Sequence, residues 1–387
     1  MQDERAIALI RAGFKSVQAA EDGPDRLARS FFAHLFAQNP DFRTLFPVSM
    51  DQLRRHFVLA LGYIFDNLDK PDRAEPFLEQ LGRDHRKHAI TGAHFRAGQS
   101  ALIAAFRGFV GNEVWTEEVE AAWTDTLDEV SRSMAVAADN DELPPYWGAT
   151  VVEHHRVLDD LAIIRLKVDA PIPYYPGQYV SVRIPQRPNL WRYLSPAIPS
   201  NPQGEIEFHV RRVSGGWVSP AMVSEVTVGD RWAISPPLGG MSIDRNSPED
   251  VLMIAGGTGI APLRAQIMDM AMRSANPRVH LFVSGVYPCD LYDIETLWQI
   301  SLSNPWLTVV PVTEDYEDPW WHSGPTRELP WGMHRQLYGQ IGTVVTQFGS
   351  WADRQIQISG SPSMVRTTMY ALRRHGTPME HVQHDPI

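Results

Sequence analysis

The sequence has a single cysteine, Cys289, in 387 residues. One thiol excludes an internal disulfide framework, and with it zinc or iron–sulfur sites built on cysteine. No apolar run approaches the ~20 residues that cross a bilayer. The first residues, MQDERAIALIRAGF, are charged and amphipathic and lack a secretion-signal core. Repeats and low-complexity tracts are missing as well. So is any excess of positive charge: the net charge is −11, which argues against nucleic acid or an anionic membrane as the main partner. A cytoplasmic enzyme acting on small molecules fits these absences. The hydrophobic fraction of 43% and charged fraction of 21% are those of an ordinary folded chain. Its length exceeds a single core and implies two or three domains. Twelve tryptophans and fourteen histidines suit flat aromatic cofactors.

Three patterns follow one another. Residues 1–142 carry apolar stripes at the helical period, as in RLARSFFAHLFAQNP, LRRHFVLALGYIFDNL and PFLEQLGRDHRKHAI, punctuated by Pro40, Pro47, Pro71 and Gly92. They predict an all-α domain. DNDELPPYWG then reads as a linker. Residues 148–246 hold short β-rich runs split by Gly and Pro, such as ATVVEHHRVL, QYVSVRIP and EIEFHVRRV, which predict a small antiparallel barrel. Residues 247–387 alternate buried-type strands with helices, the pattern of a parallel α/β sheet.

In LMIAGGTGIAPLRA an apolar strand runs through a Gly-rich turn into a helix. Gly256, Gly257 and Gly259, with Thr258 between them, allow a close backbone approach, and amides at the helix start face an anion. ISGSPSMV repeats the strand-to-helix form through Ser359, Gly360 and Pro362. Its loop is expected at the same carboxyl edge of the sheet, where ligands of such folds bind. GGTGIAP with a later GSPSMV behind a small barrel resembles the ferredoxin–NADP+ reductase superfamily, in which these loops hold a nicotinamide dinucleotide. A Cys is common there where Ser359 stands. NADPH users of that superfamily often carry an Arg after the next strand; Val286 stands in SGVY instead, which favours NADH.

The same resemblance implies FAD on the barrel. WRYLSPAI corresponds to the family's R-x-Y-[ST], giving Arg192 to the pyrophosphate, Ser195 to the flavin ring, and Leu194 where a Tyr usually packs, with Tyr193 beside it. YPGQYVSV places Gln178 and Tyr179 near the cofactor. GGWVS, with Gly215, Gly216, Val218 and Ser219, corresponds to the phosphate turn. His384, in EHVQHDPI, stands about where relatives end in an aromatic residue over the flavin.

In GRDHRKHAIT, His85 and His88 lie within a helical turn among charges, and those ten residues alone leave a metal ligand and a solvated helix end both open. An all-α domain ahead of this reductase pair resembles the flavohaemoglobins. That resemblance implies haem b ligated by His85, with His88 as a non-ligand and Phe46 at the haem edge. It also implies departures. Phe32 and Leu53 fall where nitric-oxide-dioxygenase members carry a distal Tyr and Gln, with Phe57 over the haem. Phe95 and about Ala138 replace a proximal Tyr and Glu, with Asp139 one place away. Gln52 or His56 is the alternative if the helix register is shifted by one residue.

The resemblance therefore implies an oxidoreductase passing electrons from NAD(P)H through FAD to haem, with conversion of nitric oxide and O2 to nitrate as the family reaction, here weak. Other readings stay open from sequence: a hydroxy acid such as D-lactate as donor, a haem-based redox or gas sensor, or a flavin reductase on a haem-free globin. Oligomeric state is not readable.

Overall fold

The computed structural model describes residues 4–324 and 328–385. The chain divides into two compact units, Met1–Tyr146 and Trp147–Ile387. No helix among the described residues is long and apolar enough to cross a membrane.

Among the described residues the first unit is built from six α-helices: α1 (Glu4–Ala19), α2 (Gly23–Gln38), α3 (Asp51–Asp66), α4 (Pro71–His85), α5 (Gly92–Val110) and α6 (Glu117–Asp139). Their apolar stripes meet in one core around Phe14, Phe65, Phe106 and Trp123. Pro71 opens α4, where its missing N–H costs nothing. The Thr116 hydroxyl accepts the Val119 N–H at the start of α6. At the crossing of α4 and α6 glycine is required, because a Cβ at Gly82 would lie 2.2 Å from the Met134 carbonyl oxygen. That approach sets the height of the last turn of α4, which ends at His85.

Helical periodicity runs through Ile90, yet the α-helix stops at His85 and continues as a 3-10 turn over Arg86–His88. Ala89 then takes the left-handed φ of 57° that breaks the run. Two ion pairs hold this turn: Arg86 with Asp141 at 2.7 Å, and the buried Lys87 with Asp84 at 2.6 Å.

The second unit begins with an antiparallel sheet of β1 (Trp147–Leu158), β2 (Leu161–Val168), β3 (Val180–Arg183), β4 (Trp191–Leu194), β5 (Glu205–Arg211) and β6 (Arg231–Ile234). Its strand order is β4-β3-β6-β1-β2-β5. A bridge between Pro196, just past β4, and Phe208 of β5 brings the two edges together. Closure of this kind removes the exposed edges of a small sheet. A short helix α7 (Ser219–Ser224) sits between β5 and β6.

The remainder is a parallel sheet of order β10-β9-β8-β7-β11-β12. Its strands are β7 (Asp250–Gly256), β8 (Val279–Gly285), β9 (Leu307–Thr313), β10 (Leu337–Tyr338), β11 (Arg354–Ser359) and β12 (Val382–Gln383). Helices α8 (Ile260–Ala271), α9 (Ile294–Ser303), α10 (Ile341–Thr346) and α11 (Pro362–Arg374) accompany them. Along β7, Val251, Met253 and Ala255 enter one core while Leu252 and Ile254 enter the other. A strand buried on both faces reads as a continuous apolar run, as this one does. Cys289 lies in the first of these cores. Burial pushes its thiol up to about 12, helped by a hydrogen bond with Asp318.

Candidate functional site

The last turn of α4 presents His85 to the inside of the helical unit. Its Nδ1 lies 2.6 Å from the Leu81 carbonyl oxygen. A carbonyl only accepts, so Nδ1 carries the proton and Nε2 keeps its lone pair. Burial is the largest influence on the ring and lowers its pKa, opposed by the Leu81 hydrogen bond and the Asp84 charge. The ring is thus a neutral imidazole with a donor nitrogen, the form that ligates iron. Phe95 meets it edge-on at 5.6 Å. Ala138 is buried and Asp139 exposed. The Leu81 backbone carbonyl thus supplies the acceptor for the Nδ1 proton.

Phe32 is buried against Phe31 at 4.8 Å, Phe46 at 5.6 Å and Phe57 at 5.6 Å. The Arg43 guanidinium fixes the corner carrying Phe46 by donating to the carbonyls of Phe46, Pro47 and Val48. Arg54 ties α3 to α2 through Asp25 at 3.0 Å. With α3 so held, Leu53 and Phe57 pack against the core, while Gln52 and His56 are exposed. Phe46, Leu53, Phe57, Leu81 and Phe95 all pack on this core yet stay partly accessible. An apolar wall with one imidazole donor fits a haem.

In the barrel, β4 lies beside β3, pairing Tyr193 with Ser181 and Leu194 with Val180. Arg192 is half-buried, and burial alone lowers its pKa. It donates to the Trp191 carbonyl at 2.8 Å. Among the described residues no carboxylate pairs with it, so this guanidinium fits a phosphate group. The exposed Tyr193 ring meets Tyr179 at 5.1 Å. Gly215 has a φ of 72°, and the turn closes through Ser219 Oγ, which accepts the Val213 N–H at 3.0 Å. Gly215 and Gly216 are exposed, Ser195 is partly so, and Val218 is fully buried, leaving only its backbone to a ligand. The Gln178 amide is engaged at both ends, accepting from Tyr175 N–H and donating to the Gly239 carbonyl.

The tail after β12 reaches the same region. A Cβ on Gly239 would meet both the Tyr179 ring and Asp385 Oδ1. His384 Nδ1 donates to the Asp385 carbonyl at 2.7 Å. Burial pushes the Asp385 carboxyl up to about 6, against the charge of His384. A raised acid takes up a proton in the folded state before the unfolded chain does, so stability grows as pH falls from about 6 toward 4. Asp385→Asn is expected to raise the melting midpoint at pH 7 and to flatten its dependence on pH in that window, read by melting curves of the holoprotein.

The two glycine-bearing loops of the parallel sheet touch. Strands β7 and β11 are neighbours, pairing Ala255 with Ser359. A Cβ at Gly259 would lie 2.2 Å from the Ser359 carbonyl oxygen, and one at Gly256 or Gly360 would strike the Met364 methyl at 2.6 Å. Gly257 has a φ of 54°. Thr258 is partly accessible, and Pro362 opens α11 beside Ser361, whose hydroxyl accepts the Met364 N–H. The cradle admits backbone where side chains do not fit, as a dinucleotide site requires. Gly259→Ala is expected to push the loops apart and raise the KM for NADH roughly tenfold or more, with FAD content unchanged. Val286 is 43% exposed, and Asp290 caps its loop by accepting the N–H groups of Val286 and Tyr287.

One feature of the unit has no counterpart in the sequence motifs. Glu207 and His209 of β5 are buried with Arg264 of α8, Tyr292 and Asp293. Burial by itself raises the Glu207 carboxyl, but the His209 hydrogen bond and the Arg264 and Arg165 guanidiniums outweigh it and hold it at about 2. Glu205, Glu207, His209 and Arg211 alternate along the strand as a solvated face does. The α/β layer instead covers Glu207 and His209.

Family models match all three parts: "Globin" over residues 29–134, "Oxidoreductase FAD-binding domain" over 148–243 and "Oxidoreductase NAD-binding domain" over 253–369. The chain is 29% identical over 196 residues to the reductase component of a phenol 2-monooxygenase from Pseudomonas sp., covering 49% of this chain. It spans only 55% of that relative's length. It is 26% identical over 291 residues to a flavohaemoprotein of Bordetella parapertussis, covering 69% of this chain and 70% of the relative. A solved flavohaemoglobin from Malassezia yamatoensis has the same fold at a TM-score of 0.76 and 15% identity, over 99% of this chain and 98% of that one.

The molecule is thus a globin joined to a flavin- and nicotinamide-binding reductase, an oxidoreductase whose cofactors are haem, FAD and a nicotinamide dinucleotide. In its domain order and fold the chain is similar to the flavohaemoglobins. The match to an NAD-binding domain does not favour a hydroxy acid as hydride donor.

Proposed function

We propose that the chain carries electrons from NADH through FAD to a haem held by His85, and that it converts nitric oxide and O2 to nitrate only weakly. The reading divides the chain into functional domains at 1–142, 148–246 and 247–387 and places it in the cytoplasm. The observation that carries it is the neutral, half-buried His85 ring, its Nδ1–H on the Leu81 carbonyl and Nε2 left to an iron.

When bound, the three groups supply hydride transfer, the splitting of an electron pair, and a reducible iron. The protein positions them. The Gly256–Gly259 and Ser359–Gly360 loops admit the dinucleotide backbone. Arg192 and Ser219 would hold the pyrophosphate of the flavin nucleotide, and Tyr193 with Tyr179 would pack beside its ring. His85 would hold the iron. Phe32, Leu53 and Phe57 would line the ligand pocket with apolar groups that donate no hydrogen bond, which is the basis for weak dioxygenation. Val286 in place of a cation supports NADH over NADPH.

The test is anaerobic mixing of the holoprotein with NADH, watching flavin and haem absorption in turn, followed by nitric oxide consumption in air. Flavin bleaching followed by haem reduction, with slow nitric oxide loss, is the expected result. Flavin that NADH leaves oxidised, or haem that stays ferric beside reduced flavin, overturns the reading.

A further inference from the structure

The barrel and the parallel sheet belong to one compact unit, and one guanidinium joins the parts of each that face the cofactors. Arg264 lies in α8, the helix that starts where the Gly256–Gly259 loop ends. Its Nη1 donates to the Ala197 carbonyl and to Glu207 Oε1, both at 2.8 Å. Its Nε lies 3.2 Å from Asp293 Oδ2. Ala197 follows Ser195 in the loop leaving β4, and its own N–H is bound to the Glu207 carbonyl at 2.8 Å. Glu207 Oε1 in turn faces His209 Nε2, whose Nδ1 meets the Tyr292 hydroxyl at 2.8 Å.

Burying this many charges is expensive. Well-packed apolar residues of similar volume generally serve stability as well or better. What a guanidinium fork supplies that apolar packing does not is a fixed direction at several acceptors at once. Here it is anchored to the flavin-side loop at one end and rides on the dinucleotide-side helix at the other.

We propose that Arg264, held by Glu207 and Asp293, is a positioning residue that sets the distance and angle between the nicotinamide and the flavin. It touches neither group and acts through the Ala197 loop and the start of α8. The inference rests on the proposed function, in which FAD and the dinucleotide occupy those two loops. Hydride transfer needs reacting atoms within about 3–3.5 Å, and a misplacement of about 1 Å costs up to about 100-fold in rate.

The test uses holoprotein variants Arg264→Met, which keeps volume, and Arg264→Lys, which keeps charge without the fork. Two optical readouts are compared: flavin reduction by NADH against dithionite, and the change in flavin absorption on adding NAD+. In Arg264→Met, FAD content and dithionite reduction are expected to match the parent. Reduction by NADH falls between about 10- and 100-fold and the NAD+ perturbation shrinks. Arg264→Lys recovers part of both. The proposal is overturned if Arg264→Met retains the parental NADH rate and NAD+ perturbation. It is equally overturned if FAD and the melting midpoint drop while the NADH rate per bound flavin holds, the mark of a purely structural role. A parent protein that NADH does not reduce sinks the proposed function first, and this inference with it.

Discussion

His85→Ala is expected to strip haem from the protein while leaving FAD in place. The imidazole meets Phe95 and offers Nε2 as a donor nitrogen, while Phe95 is apolar and the Leu81 carbonyl is engaged. Porphyrin would then be held by apolar contact alone. A loss of haem affinity of about tenfold corresponds to only ~1.4 kcal/mol, and an iron–imidazole bond is worth more than that. The ratio of the intense haem band to the flavin band in the absorption spectrum reads the result directly. Free imidazole added to the variant is expected to restore the haem band by filling the space left by the ring. Haem retained at parental affinity and reduced at the parental rate without imidazole defeats the assignment of His85.

The second large effect concerns the opposite wall. Phe32→Tyr or Leu53→Gln is expected to raise dioxygen affinity by about 10- to 100-fold, the worth of one hydrogen bond to a charge-bearing partner at ~1.5–3 kcal/mol. Phe32 is ringed by Phe31, Phe36, Phe46 and Phe57. A hydroxyl placed there without a ligand has no acceptor, at a cost of ~1–3 kcal/mol to the unliganded protein. The two quantities are of similar size and fall on different states. Phe32→Tyr therefore makes the unliganded protein less stable and the liganded one tighter, and melting curves with and without ligand separate them. Leu53 keeps partial access, so the amide in Leu53→Gln is hydrated when unliganded and costs less. An unchanged oxygen affinity and autoxidation rate in both variants places the distal determinant elsewhere.

What could be read from the sequence follows from periodicity and spacing. Apolar residues returning every three or four positions predict the helices of the globin unit, and the apolar run of β7 before GGTG predicts a buried parallel strand. The meeting of the GGTG and GSPS loops follows from strand-to-helix order alone, and the Ser359 carbonyl against Gly259 realises it. Two things were not legible. The stop of α4 at His85 depends on ion pairs to Asp84 and to the distant Asp141, which no local pattern announces. The buried cluster at Glu207 was hidden because β5 alternates polar and apolar residues as a surface strand does. Only the α/β layer packed on it tells a solvated face from a covered one, and that is a tertiary fact. The one cue, read backwards, is Arg264 among the apolar residues that open the helix IAPLRAQIMDMA, a charge whose partners must lie somewhere out of sequence.

Cys289 opens a practical route to the electron path. Being shut inside a core with its thiol held in the protonated form at neutral pH, it should ignore maleimides and other alkylating dyes. A cysteine introduced on the helical unit and another on the reductase can therefore each be labelled without first deleting a native thiol. Energy transfer between two such dyes would read the separation of the labelled positions in the presence and absence of NADH.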